Sequence, residues 1–394
     1  MLSKERENAV IELCQALIQQ KSYSGEEQGV VSVLKDYMQK NGFDEVAVDD
    51  YGNLVGCIKG NRPGKKLLFD GHMDTVPVSD PAEWTYPPFA AEIHQGRIYG
   101  RGTSDMKGAL SAMVCAAANF ARDTEKQFAG EVYVAGVVHE ECFEGVAARA
   151  ISKAVNPDYV VIGEASQLNL KIGQRGRAEI VVETFGKPCH SANPEKGINA
   201  VYKMAKVIEA IRTLAPTHHP VLGNGILELT DIKSAPYPGA SVVPEYCRAT
   251  YDRRLLVGET KETVLAPLKA LLARMMEEDP ELKVKVSYAV GQEKCHTGHE
   301  ITGERFFPGW LYDEKETFVQ DVASRLKEMG YMPSITQYNF CTNGSHYAGE
   351  AGIRTFGLGP SQENLAHTLN EYIEIDQLAK VTDCYYGVMQ ALLK

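Results

Sequence analysis

The chain has 394 residues, 44% of them hydrophobic and 24% charged, and a formal net charge of −11. That length points to two domains with a sizeable core, and the composition excludes disordered and collagen-like chains. The acidic balance argues against nucleic-acid binding, which leaves a basic footprint. No apolar run is long enough for a membrane span. The first twenty residues are charged and amphipathic without a long apolar segment, so no secretory leader is expected. The nine cysteines are odd in number and none lie at CxxC distance. That usage fits reduced thiols in a cytoplasmic protein.

Apolar residues recur at helical spacing over 5–20 and 27–40, and Gly42 is placed to end the second helix. Residues 53–59 and 66–69 read as strands, 106–122 as a buried helix of small residues, and 131–138 as a valine-rich strand. A helix over 144–154 and a short apolar strand over 159–162 follow. Strands that alternate with helices predict an α/β fold, a mostly parallel sheet with helices on both faces. The character changes near Arg177. Residues 178–184, 247–255 and 282–290 alternate as strands, while 198–214 and 260–277 read as helices. This βαββαβ-like order predicts a small α+β unit with one half-exposed sheet. After about residue 293 the first style returns, with helices over 315–329 and 375–393 and a strand over 354–358. The expectation is a discontinuous domain, 1–177 and 293–394, interrupted by an inserted domain at 178–292.

Five segments place a metal-type ligand just beyond an apolar strand or in a loop, where open α/β sheets bind ligands. His72 follows a strand in LLFDGHMD. Asp74, two residues on, returns to the same face, where a carboxylate can accept the second imidazole N–H. Asp105 lies in GRGTSDMKG before a helix. It can bridge two metals, or it or Ser104 can merely cap that helix. The glycine spacing fits neither a phosphate loop nor a dinucleotide fingerprint, which disfavours a nucleotide enzyme. Glu140 and Glu141 end the valine strand in VVHEEC. Buried carboxylates are costly unless paired or metal-bound, so one would ligate while its neighbour shuttles protons, and His139 is assigned a structural role. Glu164 ends the strand VVIGE, and His367 lies in AHTLNE before the last helix. Two imidazoles and three carboxylates suit a pair of Zn²⁺ ions. They leave one positive charge for a bridging hydroxide, and such a site acidifies water and polarises a carbonyl. A nearby unligated carboxylate would pass the water proton to the leaving nitrogen.

In their order and spacing, GHMDTVP, GRGTSDMKG, HEE, GEAS and AHTLNE resemble the M20 family of metallopeptidases and deacylases over nearly the whole chain. Within it the chain is most similar to a branch labelled selenium-metabolism-linked hydrolases. The resemblance implies that His72, Asp105 and Glu164 hold one metal and Asp105, Glu141 and His367 the other. It implies two Zn²⁺ per chain, with Co²⁺ or Mn²⁺ as substitutes, Asp74 as the residue that orients His72, and Glu140 as general base and acid. It also implies a ferredoxin-like lid and dimerisation domain at the insertion. There His190, in GKPCHSA, would reach a partner subunit's site to steady the oxyanion, and Arg254 would pair with a substrate carboxylate.

The chain departs from the family pattern in places. Ser241 stands where many relatives have Asn before a VVP-type segment. CTNGSH at 341–346 replaces the commoner GGTDA or SGTSD forms. Asn343 and Ser345 are therefore candidate substrate contacts, and His346 is a candidate particular to this branch. Phe306, Phe307 and Trp310 stand between lining a leaving-group or acyl pocket and a core or hinge role. The functional expectation is a cytoplasmic, homodimeric two-zinc hydrolase. It would cleave an amide bond adjacent to a free carboxylate, as in an N-acyl amino acid or a dipeptide, by a metal-bound hydroxide with Glu140 as general base. The alternative is a non-catalytic, metal-dependent binding protein of the same fold, which is expected to have lost the shuttle or a ligand; here all are present. The expected partners are a small molecule bearing a carboxylate and a second copy of the chain, with neither nucleic acid nor membrane.

Overall fold

The computed structural model describes residues 2–393. It divides into two compact units. The first comprises the residues up to Gln174, Gln292–Gly303 and those from Leu311 on; the second comprises Arg175–Gly291 and Glu304–Trp310.

The first unit is built on a sheet whose neighbouring strands are Glu45–Val48, Leu54–Lys59, Ala129–Val137, Arg62–His72, Tyr159–Ile162, Arg354–Gly357 and Leu170–Gln174, in that order. Ile335–Tyr338 also pairs with Leu170–Gln174. The four strands from Ala129–Val137 to Arg354–Gly357 run parallel. Leu67, Leu68, Phe69, Val132, Val134, Val160 and Val161 along them are all buried, as parallel strands covered on both faces require. Their register sets His72 opposite Val137, Asp70 opposite Ile162, and Gly357 opposite Ile162. The residues that follow these strands therefore emerge along one edge of the sheet. Helix Gly108–Asp123 is buried almost throughout. Its alanines let it lie close between the sheet and the helices Lys4–Ile18 and Ile375–Leu392.

Several expectations shift. The strand expected at 66–69 runs from Arg62 to His72, so His72 is its last residue; a register shift between Arg62 and Lys66 absorbs Pro63 and Gly64. The helix expected from residue 144 begins only at Ala148, because Gly145 first turns the chain at a φ of 84°. A small sheet of Ile93–His94, Arg97–Tyr99 and Tyr372–Glu374, which the residue pattern did not announce, ties residue 372 to residue 99. Among the described residues no helix is long and apolar enough to cross a membrane.

The second unit follows a βαββαβ order: Gly176–Phe185, Ala200–Ile211, Ile226–Ala235, Tyr246–Leu255, Lys261–Glu278 and Lys283–Tyr288. Its sheet is antiparallel, with Ile226–Ala235, Tyr246–Leu255, Gly176–Phe185 and Lys283–Tyr288 as successive neighbours. That is the ferredoxin-like arrangement. The two helices pack their apolar stripes, with Met204, Val207, Leu265 and Leu268, against Ile180, Val182 and Ala249. Ile226–Ala235 was missed in the sequence because it is an edge strand with both faces largely exposed. Residues 304–310 were expected in the discontinuous domain but group with the second unit. Phe306 and Phe307 pair with Ala178 and Arg177, and Phe306 enters that unit's core.

Candidate metal centre

Three strand ends and two loops deliver the chemistry. His72 is the final residue of Arg62–His72, Glu140 and Glu141 follow Ala129–Val137, and Glu164 follows Tyr159–Ile162. Asp105 comes from the loop ahead of helix Gly108–Asp123, and His367 from the loop after Arg354–Gly357. Two sets of side chains have ligand atoms within 4.8 Å of one another: His72 with Glu140 and Glu164, and His72 with Asp105 and Glu141. The structure thus brings together His72, Asp105, Glu140, Glu141, Glu164 and His367.

The hydrogen-bond pattern identifies the kind of site. His72 Nδ1 lies 2.9 Å from the carbonyl oxygen of Asp74, so Nδ1 carries the proton. Its Nε2 then faces Asp105 Oδ1 at 2.9 Å and Glu164 Oε1 at 3.3 Å. His367 Nε2 lies 3.1 Å from Asp105 Oδ2 and 3.0 Å from Glu141 Oε2. Asp105 therefore directs one oxygen at each imidazole. An imidazole lone pair facing carboxylates needs a cation between them, either a proton or a metal. The protein alone supplies the proton. Hydrogen bonds to Asp105 and Glu141 push His367 up to about 10. Burial opposes the charge on His72, but Asp105 and Glu164 hold it well above the usual imidazole range. Burial works against the Asp105 carboxylate as well, yet His367 and His72 keep it below its ordinary value. A divalent cation on each Nε2 would satisfy the same lone pairs and neutralise the same carboxylates, so the donor set fits a two-metal centre.

Glu140 stands apart. It is buried, and its Oε1 has no hydrogen-bond partner among the described residues. Burial, opposed by His72 and reinforced by Glu164 and Glu141, holds its carboxyl well above the usual range. A carboxyl so placed is suited to moving a proton. Burial and the charge of Asp105 likewise push Glu141 up to about 7.

The loop carrying Asp105 is held by a residue whose role the sequence did not signal. Glu371 Oε1 accepts the N–H groups of Gly102 at 3.1 Å, Ser104 at 2.8 Å and Asp105 at 3.1 Å. Arg101 donates to its other oxygen at 2.6 Å, and both side chains are buried. Gly102 makes the turn at a φ of 90°, a conformation open to glycine. Helix Gly108–Asp123 has no side-chain cap, so Asp105 and Ser104 are not spent on capping it.

Asp74 works differently from the expectation. Its carboxylate Oδ1 is 3.6 Å from His72 Nδ1, and its main-chain carbonyl orients the ring instead. The carboxylate accepts the N–H of Glu140 at 3.0 Å and of Glu141 at 3.2 Å, and the Ser24 hydroxyl at 2.7 Å. Asn343 also has another task than contacting substrate. It is buried, its Oδ1 accepts the Gly145 N–H at 2.8 Å, and its Nδ2 donates to Asp70 at 2.9 Å. Ser345 is buried in the same turn. His346 is buried with Nδ1 on Glu350 at 2.8 Å. The His139 ring lies against the Lys294 carbonyl, Nε2 to oxygen 3.3 Å.

In the second unit His190 is exposed, and its Nδ1 accepts the Ala192 N–H at 3.0 Å. The ring proton is therefore on Nε2. Arg254 is half-buried with Nε 2.7 Å from Asp252. Phe306, Phe307 and Trp310 are buried.

Fold and site together define a metallohydrolase of the α/β type with an inserted α+β unit. Residues 68–391 match Peptidase family M20/M25/M40, and the chain belongs to that family; it is a hydrolase of amide bonds. It is 32% identical to the uncharacterized protein YgeY of Escherichia coli K12, over 89% of this chain and 86% of that one. It is 27% identical to succinyl-diaminopimelate desuccinylase 2 of Ruegeria sp. TM1040, over 96% and 94% of the two chains. Two solved structures share the fold. Aminopeptidase PepT of Bacillus cereus superposes with a TM-score of 0.75 at 21% identity, covering 98% of both chains. The YXEP protein of Bacillus subtilis, described as a dinuclear metal binding peptidase, gives 0.72 at 13% identity over 99% of this chain and 98% of that one.

Proposed function

We propose that the chain is a two-metal amidohydrolase that cleaves an amide bond adjacent to a free carboxylate, as in an N-acyl amino acid or a dipeptide. The observation that carries this reading is Asp105, with one oxygen on His72 Nε2 and the other on His367 Nε2. His72, Asp105 and Glu164 would hold one ion, and Asp105, Glu141 and His367 the other. The mixed nitrogen and oxygen donors suit zinc, with Co²⁺ or Mn²⁺ as substitutes. When bound, such ions supply Lewis acidity and a more acidic water. Glu140 takes the proton of the attacking water and returns it to the leaving nitrogen. His190, with its proton on Nε2, would reach a partner subunit's site and donate to the oxyanion. Arg254, its Nε held by Asp252, would pair with a substrate carboxylate. The desuccinylase and peptidase names of the relatives support this substrate class.

A homodimer through the second unit completes the proposal. It is supported by the outer edge of strand Ile226–Ala235, unpaired among the described residues, and the exposed apolar side chains Ile226 and Ile232 on it. An open edge with exposed apolar groups is a template for a second strand.

The test combines elemental analysis with a hydrolysis screen of N-acyl amino acids and dipeptides, on wild type and Glu140→Ala. The expected result is about two metal ions per chain in both proteins, with kcat lower by about 10²–10⁴ in the variant. Wild-type turnover by metal-loaded Glu140→Ala, or a chain that takes up no metal, would overturn the proposal.

A further inference from the structure

We propose that Glu27 is a positioning residue for Glu140: with Asp74 it forms a pair of buried carboxylates that accept three successive main-chain N–H groups, those of His139, Glu140 and Glu141. The bonds are explicit. Glu27 Oε1 accepts the His139 N–H at 3.2 Å and the Gly25 N–H at 2.9 Å. Asp74 accepts the next two, at 3.0 and 3.2 Å. Glu27 is 0% exposed, and nothing in its sequence context, GEEQ at the entry to helix Gln28–Lys40, marks it as more than a helix-start residue.

Two features make the clamp necessary. His139 has a φ of 54°, a left-handed conformation unfavourable for a residue with a side chain, so external partners must hold the turn. Glu140 Oε1 has no hydrogen-bond partner among the described residues, so the main chain beneath it carries the placement of that oxygen. The clamp is itself anchored. The Ser22 hydroxyl donates to the Met73 carbonyl at 2.7 Å, and the Thr75 N–H donates to Ser22 O at 2.9 Å. Segment 22–27 and the end of the His72 strand therefore form one block. His296 Nδ1 lies 3.4 Å from Glu27 Oε2. Burial disfavours the Glu27 charge, but His296 and the Gly25 N–H outweigh it and keep the carboxylate ionised below its usual range. A charged acceptor makes the stronger bond to a main-chain N–H.

The structural part stands alone, and its catalytic consequence rests on the hydrolase reading. The experiment is hydrogen–deuterium exchange on the full chain, read at the peptide covering residues 138–143, for wild type, Glu27→Ala and Glu27→Gln. Glu27→Asp, which withdraws the carboxylate by one methylene, replaces the alanine variant if that one does not fold. Expected is exchange about tenfold faster at 138–143 in Glu27→Ala, most of it regained in Glu27→Gln, with helix Gly108–Asp123 unchanged. On any substrate that wild type turns over, kcat should fall about tenfold or more in Glu27→Ala, with KM and metal content unchanged. Wild-type exchange at 138–143, or a loss of protection spread evenly over the chain, would overturn the positioning role. Glu140→Ala separates the two failures. If it keeps wild-type kcat, the hydrolase mechanism falls; if it loses kcat while Glu27→Ala does not, the role of Glu27 falls alone.

Discussion

A buried asparagine with both ends engaged can be told from a substrate contact by what its loss does. Asn343→Ala would leave the Gly145 N–H and one oxygen of Asp70 without partners. Burial already pushes Asp70 up to about 6 against the bonds from Asn343 and Tyr347. Removing one buried partner typically costs about 1–3 kcal/mol. The expected outcome is a lower thermal midpoint and a KM close to wild type; a raised KM at unchanged stability would restore the substrate-contact reading. At this scale the candidate ligands His72, Glu141 and Glu164 were legible because each sits where a strand ends, and an apolar run has no packing reason to finish on any of them. The partners of those ligands were not legible. Glu371 holds the Asp105 loop from 266 residues away in sequence, and no local pattern encodes that closure. Asp74 was read as a side-chain orienter of His72 because residue parity predicts which face a group takes, not which of its atoms makes the bond.

Among the elements, the four central parallel strands and the buried helix Gly108–Asp123 were read correctly in kind because of their apolar runs, while the parallel pair Leu170–Gln174 and Ile335–Tyr338 was not read. Short or exposed elements escaped. Ile226–Ala235 carries Glu, Thr, Asp, Lys and Ser on faces that meet solvent, so it resembles a polar loop until its pairing with Tyr246–Leu255 is seen. The same strand yields a test of the proposed assembly. Ile226 and Ile232 are 41% and 50% exposed on an edge unpaired among the described residues. An aspartate at each should oppose strand-to-strand pairing while leaving the unit's core, which lies on residues such as Ile180 and Val207, untouched. Light scattering with size-exclusion chromatography should give a dimer for wild type and a monomer for the Ile226→Asp/Ile232→Asp chain, with unchanged circular dichroism. A dimer that survives both substitutions would place the interface elsewhere.

For the whole molecule, the centre should govern how stability depends on pH, and in opposite senses with and without metal. Asp70 and Glu141 have folded values of about 6 and about 7, raised by burial from ordinary values of 3.8 and 4.5. A carboxyl with a raised folded value binds its proton more tightly in the folded state, so stability falls as pH rises from the ordinary carboxylate range toward those values. His367, pushed up to about 10 by Asp105 and Glu141, acts in the same direction. Its ion pairs contribute fully below the ordinary imidazole value of 6.5 and are lost as pH rises through about 10. Glu350 opposes this only in acid. Burial raises it, but His346 and Arg149 outweigh that and hold it at about 2, so its contribution is present above its ordinary 4.5 and lost below. A metal reverses the main trend, because its ligands must be deprotonated and its affinity therefore grows with pH. Binding to the folded state alone raises stability in proportion to that affinity's logarithm. Thermal unfolding in chelator should show a midpoint that falls between about pH 5 and pH 8, while the gain on adding Zn²⁺ widens over the same interval. A chelated protein whose midpoint holds or rises toward pH 8, or a zinc gain that shrinks, would mean that Glu141 and His367 do not belong to the metal centre.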